Sequence, residues 1–221
     1  MRVRDGRRLR DLLEPNPDAG NVDDLFEALA QTGAVLEGHF ALQSGLHSAH
    51  FLRLRDFSVR PTMARLAAER LLAFGPKDER PNIICPESAG YLLGRAYFEA
   101  VGGEESGASL IVAPVSFERR PLPMIRRGEF NADRPTIIVN DVATTGRSIR
   151  PLVELARAQR SDVVAVMHFA VKEPQRVKQH VPPGTRTGWL FSQRWDTHEA
   201  SPATCPGCRA GQSLVPAIEL N

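Results

Sequence analysis

Lysine is nearly missing from this chain. Three of its 28 basic residues are Lys (Lys77, Lys172 and Lys178), which leaves 25 Arg. A mechanism that needs a compact ammonium able to lose its proton therefore has three candidates. Cysteine is equally scarce, and Cys85, Cys205 and Cys208 cannot all pair within one chain. That odd count points to a reducing compartment, and a cytoplasmic protein is the expectation. No apolar run approaches the roughly 18 residues of a membrane span, and no apolar stretch follows the basic start at Met1 to Asp11 to make it a secretory leader. A membrane partner is therefore not expected. Nor is there an excess of charge of one sign: 28 basic against 26 acidic residues leave a net +2. Counterion release has little to work on, so nucleic acid is not an expected partner, the Arg-rich N-terminus notwithstanding. No Gly-x-Gly-x-x-Gly turn follows any apolar strand, which argues against a plain dinucleotide-binding fold.

What is present is an ordinary globular composition over 221 residues, 42% hydrophobic and 24% charged. That length suits one domain with a small accessory lobe and a core large enough to need no staple. Residues 1–20, rich in Arg, Pro and Asp, read as a loose arm. In 21–75, Asn21 opens a helix with Val22, Leu25, Phe26 and Leu29 on one face, closed by Gly33. Short strands are expected from Val35 to Gly45, with a further extended piece around Phe51 to Leu54. Pro61 starts a helix to about Phe74.

From residue 76 to 175 apolar strands alternate with helices. Strands are expected at 82–86, 108–114, 136–141 and 162–169, and helices at 88–101 and 146–159. That alternation predicts an α/β fold, a parallel sheet covered on both faces. The remainder, 176–221, is rich in Pro, Gly and Thr and reads as loop, with Trp189, Phe191 and Trp195 packing over an edge or opening.

In open parallel sheets ligands sit beyond the carboxyl ends of the strands. The stretch Ile137-Ile-Val-Asn-Asp-Val-Ala-Thr-Thr-Gly-Arg-Ser-Ile brings Asn140 and Asp141 to such a tip. The loop behind them offers Thr144, Thr145, Gly146 and Ser148 at a helix mouth. Inward-pointing N–H groups of such a loop, with the helix N-terminus, make a nest for a phosphate. An acidic tip residue beside it suits sugar hydroxyls or a magnesium ion. The alternative is a βα turn whose hydroxyls merely cap the helix.

These residues resemble the phosphoribosyl pyrophosphate motif of type I phosphoribosyltransferases. Gly38-His-Phe-Ala-Leu-Gln-Ser-Gly-Leu-His-Ser is similar to the N-terminal signature of the orotate phosphoribosyltransferase branch, and Ile84-Cys-Pro-Glu-Ser-Ala-Gly sits where that family has its pyrophosphate loop. The resemblance covers roughly residues 20–170. It implies a parallel sheet flanked by helices, a phosphoribosyl-binding core over 76–175, and a small hood built partly from 21–75 and the C-terminus. It also implies that Ala143, Thr144, Thr145, Gly146, Arg147 and Ser148 cradle the 5′-phosphate, with Asn140 and Asp141 on the ribose hydroxyls. Glu87, Ser88, Ala89 and Gly90 would face the pyrophosphate with its magnesium, and Phe40 would lie against the nucleobase. Asp141, Arg119 and Arg120 are the residues it marks for catalysis, and a homodimer is the family's usual assembly.

Three positions depart from the family pattern. Asn140 stands where the motif has its first acidic residue. The loop Phe117-Glu-Arg-Arg-Pro-Leu-Pro-Met-Ile-Arg-Arg-Gly keeps a basic pair but lacks the later Lys and His, unless Arg126 or Arg127 substitutes. Phe169 falls where the orotate-contacting Arg is expected, with Lys172 three residues on. These leave orotate and a different base both open as acceptors, and leave open a non-catalytic homologue that binds phosphoribosyl pyrophosphate or a nucleotide as a regulatory ligand. Finally, Cys205-Pro-Gly-Cys208 is half of a zinc knuckle, to which His198, Cys85 or a second subunit could add ligands; the alternative is a turn with two free thiols. His39, His47, His50 and His168 read as hood or core residues rather than catalysts.

Overall fold

The computed structural model describes residues 1–42, 44–76, 80–116, 120–131 and 134–220. Its helices and strands run in the order α1 (Gly6–Leu12), β1 (Leu13–Pro15), α2 (Asp23–Thr32), β2 (Val35–Ala41), β3 (His47–Leu52), α3 (Leu54–Ser58), α4 (Pro61–Leu71), β4 (Asn82–Pro86) and α5 (Ala89–Ala100). They continue with β5 (Ser109–Ala113), β6 (Thr136–Ala143), α6 (Ile149–Ala158), β7 (Val163–Val171), α7 (Pro174–Lys178), β8 (Arg186–Gln193), β9 (Thr197–His198), α8 (Pro206–Arg209) and β10 (Val215–Pro216).

The apolar runs at β4, β6 and β7 are buried on both faces and form the centre of a six-stranded sheet ordered β1-β8-β7-β6-β4-β5. Every pairing in it is parallel except that of the edge strand β1 with β8. One face carries a core in which Leu25, Leu29, Phe57, Leu71 and Leu93 of the covering helices meet Ile137, Val139, Met167 and Phe169. The other is covered by α6, whose Ile149, Leu152, Val153 and Ala156 make a stripe at three- and four-residue spacing. This is the expected α/β sheet, covered on both faces.

A second sheet, ordered β10-β2-β3-β9, is built on the antiparallel hairpin β2–β3, which has a bulge between Glu37 and Phe40. Its two edges are both two-residue strands supplied by the C-terminal segment. Among the described residues no helix is long and apolar enough to cross a membrane.

Three expectations are corrected. Residues 1–20 are not a loose arm: the Asp5 side chain accepts from the N–H groups of Arg7 and Arg8 and caps α1. Leu9 and Leu13, four apart, are fully buried, and β1 closes the edge of the main sheet. The C-terminal part is not a loop over an opening, because β8 pairs with β7 over most of its length and buries Leu190 and Phe191. Phe191 lies 5.1 Å from Phe26, edge to face. Leu54 opens a short helix instead of ending an extended piece.

Candidate functional site

The chemistry-bearing residues gather at the carboxyl ends of β4, β6 and β7. β6 runs two residues past its expected end: Val142 and Ala143 still pair with Ala170 and Val171, and the Lys172 N–H donates to the Ala143 carbonyl at 2.8 Å. The loop from Thr144 to Ser148 therefore starts from a rigid strand. Gly146 turns it in the left-handed region at φ +82°, and a Cβ there would lie 2.9 Å from the Cα of Val177 in α7 and 3.1 Å from Cδ2 of His180. Only glycine combines that φ with so close an approach. α6 then begins at Ile149, whose N–H donates to the Gly146 carbonyl at 2.9 Å.

Ser148 occupies the cap position of α6, yet its side chain makes no capping hydrogen bond. Its hydroxyl instead accepts from Nδ2 of the buried Asn140 at 3.4 Å. A turn whose hydroxyls merely cap the helix would engage this one differently. Asp141 is half-buried next door. Desolvation raises its carboxyl above the ordinary range, against the opposing pull of the Val142 and Asp141 amides. Asn140 stands level with His168, which is fully buried and held neutral, its pKa lowered to about 3 by desolvation.

The β4–α5 turn is brought against this tip. The Glu87 N–H donates to the Ala113 carbonyl, Ser88 Oγ accepts from the Gly90 N–H, and Ala89 opens α5. A Cβ on Gly90 would sit 3.5 Å from Asn140 Oδ1, so the turn's backbone and the β6 tip are immediate neighbours. Glu87 is exposed and pairs with Arg126 Nε at 2.8 Å. Arg126 comes from the Arg-rich segment, which folds back beside β5 through bridges Val112 to Arg127 and Val115 to Pro121. The Ser116 N–H donates to the Arg120 carbonyl at 2.8 Å and fixes Arg120 on that hairpin, whereas Arg119 lies outside the described residues. Arg147 is exposed on the loop between β6 and α6.

Lys172 stands just past the end of β7. Its ammonium is partly desolvated, which lowers its pKa, while Asp196 and Glu173 pull it back up. Phe169 is not a site residue at all: it is fully buried, 5.0 Å from Phe57 and 5.5 Å from Phe191. Phe40 is likewise buried, in the small sheet, with its ring 5.7 Å from Phe51 and folded over Gly38.

Cys205 and Cys208 converge on partners the sequence reading did not join to them. The ligand atoms of His39, His47, Cys205 and Cys208 all lie within 4.8 Å of one another. Neither His198 nor Cys85 belongs to this group. Cys85 is buried in β4, its thiol 3.7 Å from the Ile111 carbonyl, and burial pushes that thiol up to about 12. His39 and His47 read from sequence as hood or core residues; their placement on the two strands of one hairpin was the available signal.

No family model matches the chain. A curated relative, the orotate phosphoribosyltransferase of Carboxydothermus hydrogenoformans, is 31% identical over 196 residues, spanning 87% of this chain and 95% of the relative. Among solved structures, the orotate phosphoribosyltransferase of Aeropyrum pernix superposes with a TM-score of 0.55 at 22% identity, covering 76% of this chain and 92% of that one. The UMP synthase of Leishmania donovani superposes with a TM-score of 0.62 at 22% identity over 78% of this chain, which spans only 37% of that protein.

Proposed function

This chain belongs to the orotate phosphoribosyltransferase family, and from that premise we propose that it transfers ribose 5-phosphate from phosphoribosyl pyrophosphate to orotate, releasing pyrophosphate. The observation that carries the reading is the junction of β6, the Gly146 turn and α6, where the cap hydroxyl of Ser148 is turned to Asn140 and not to its helix.

In this reading the loop amides from Ala143 to Ser148, with the hydroxyls of Thr144, Thr145 and Ser148, hold the 5′-phosphate. Asp141 and Asn140 accept from and position the ribose hydroxyls. The bond from the anomeric carbon to pyrophosphate breaks as positive charge spreads over the ribose ring, and the base nitrogen, its N–H proton lost to solvent, forms the new bond from the opposite face. Catalysis is then largely positioning and neutralisation of the leaving group. Arg126, Arg120 and Arg119 supply fixed positive charge to the pyrophosphate, and an Arg can clamp it bidentately without giving up a proton. Lys172 faces the carboxylate of orotate, the cation that Phe169 cannot be.

Magnesium fits the tip, since Asp141, Asn140 and Glu87 offer only oxygen donors of the kind a hard cation takes. Bound there with substrate oxygens, it would neutralise pyrophosphate charge. In this reading the enzyme works as a homodimer in the cytoplasm, a setting in which its cysteines stay reduced.

The test is pyrophosphate release from phosphoribosyl pyrophosphate and magnesium against orotate, uracil, adenine and hypoxanthine. Release with orotate, lost in Lys172→Ala at unchanged phosphoribosyl pyrophosphate affinity, is the expected result. Binding of phosphoribosyl pyrophosphate with no release for any base would overturn the transferase reading.

A further inference from the structure

The four side chains of the small sheet's cluster come from two distant stretches. His39 and His47 stand on the two strands of the β2–β3 hairpin, while Cys205 caps the short helix α8 in the C-terminal segment and Cys208 lies within it. His39 Nε2 lies 2.9 Å from His47 Nδ1 and 3.4 and 3.6 Å from the sulfurs of Cys205 and Cys208; His47 Nδ1 lies 3.2 Å from Cys208 Sγ. In a tetrahedral zinc site with Zn–N of about 2.0–2.1 Å and Zn–S of about 2.3 Å, neighbouring ligand atoms stand about 3.3 Å (N to N) and 3.6 Å (N to S) apart. These four edges fall within a few tenths of an ångström of those values.

Three further observations favour a metal over a chance hydrogen-bonded cluster. His39 Nδ1 donates to the Gln212 carbonyl at 3.1 Å, which fixes the tautomer that leaves a lone pair on Nε2, the atom aimed at the sulfurs. Gly207, between the cysteines, packs so tightly on the His39 ring that a Cβ would be 2.6 Å from its Cγ, so the knuckle is shaped around that histidine. And His39, His47 and Cys205 are all buried, which closes the site to a substrate or a reactive water.

We propose that His39, His47, Cys205 and Cys208 bind one zinc ion in a closed, structural Cys2His2 site that fastens the C-terminal segment to the β2–β3 hairpin. Two thiolates and two imidazoles select zinc over the hard cations that carboxylates hold. All four positions are protein ligands, so the ion stabilises the small sheet and takes no part in the transfer chemistry. Both edge strands of that sheet, β9 and β10, flank the knuckle in the chain, so the ion holds their common segment in register.

The test uses the full chain, expressed in minimal medium supplemented with zinc or with cobalt and purified under reducing conditions. The expected result is one equivalent of zinc per chain. The cobalt form should show the thiolate-to-metal charge-transfer bands and intense visible bands of a tetrahedral S2N2 site. His198→Ala should keep both signals, whereas Cys205→Ser with Cys208→Ser should lose them, zinc affinity falling by roughly a hundredfold or more. If the double variant fails to fold, the cobalt spectrum of the unaltered chain still decides the question. Substoichiometric metal with no charge-transfer band overturns the proposal, as does a tetrahedral spectrum that survives in the double variant. Isolation of the reduced chain as a metal-free protein that forms a Cys205–Cys208 disulfide on oxidation would assign the pair to redox chemistry instead.

Discussion

Gly146→Ala is the substitution that most directly probes the proposed phosphate loop. The new Cβ meets two penalties. At φ +82° an L-residue costs about 1–2 kcal/mol relative to glycine. Contact at 2.9 Å with the Val177 Cα and 3.1 Å with His180 adds about 1–3 kcal/mol of overpacking, because a backbone atom of α7 cannot step aside. The total, about 2–5 kcal/mol, has two ways to be expressed. If the loop keeps its shape, the melting temperature falls by roughly 4–20 °C, at about 2–4 °C per kcal/mol for a chain of this size. If the loop swings off α7, stability recovers but the amides no longer converge, and affinity drops tenfold for each ~1.4 kcal/mol. Differential scanning calorimetry and isothermal titration with phosphoribosyl pyrophosphate measure both terms. Adding His180→Ala removes the softer contact and should restore only part of the loss, since the Val177 backbone remains. A variant with unchanged melting temperature and unchanged affinity would refute the strained, close-packed turn on which the cradle depends.

Two other substitutions follow from groups whose environment is unusual. Burial raises the Asp141 carboxyl, so the folded chain favours the neutral acid and loses stability as pH rises through that raised value. Asp141→Asn should therefore raise the melting temperature at neutral pH, with a gain that fades below the ordinary carboxylate range, while turnover collapses; a variant less stable at neutral pH contradicts the desolvated placement. Phe169→Arg should not create an orotate site but bury an unpaired cation between Phe57 and Phe191, at a cost of several kcal/mol, and give insoluble protein. Soluble Phe169→Arg with tighter orotate binding would show that Phe169 faces the site after all.

The parts of this molecule that sequence makes legible are those whose cause is local. β4, β6 and β7 are contiguous apolar runs, and their strand character needs no partner to be recognised. The phosphate loop is one uninterrupted stretch, so its residue types and their order carry the geometry. β8 is different: Arg-Thr-Gly-Trp-Leu-Phe-Ser-Gln follows a Pro-Pro-Gly turn and alternates poorly, and its place was decided by neighbours. Gly188 there reads as a breaker, yet it is small because the Phe74 ring packs on it, a Cβ meeting Phe74 Cγ at 2.3 Å. β1 is three residues ending in Pro, a strand only because the β8 edge waits for it. The same limit hid the Cys2His2 group. His39, His47 and the Cys205 knuckle were all visible as residues, but only the hairpin and the C-terminal segment lying side by side join them; proximity in sequence had suggested His198 instead. Phe169 matches the position of the orotate-contacting Arg yet packs in the core, since alignment fixes a position along a strand but not which face it presents.

Both sheets are closed at their edges by residues from the opposite end of the chain: β1 waits for β8, and the β2–β3 hairpin waits for β9 and β10. A ribosome adding about 5–20 residues per second needs on the order of ten to forty seconds for this chain. The first helix, the first strand and the hairpin thus emerge early and remain without their partners until β8, β9 and β10 follow. During that interval the hairpin has two bare edges and the sheet's apolar centre is uncovered at β7, the condition under which strand pairing between neighbouring nascent chains competes with folding. A C-terminal deletion that removes β9 and β10, though it spares β8 and every residue from Thr144 to Ser148, would leave both edges of the hairpin bare permanently.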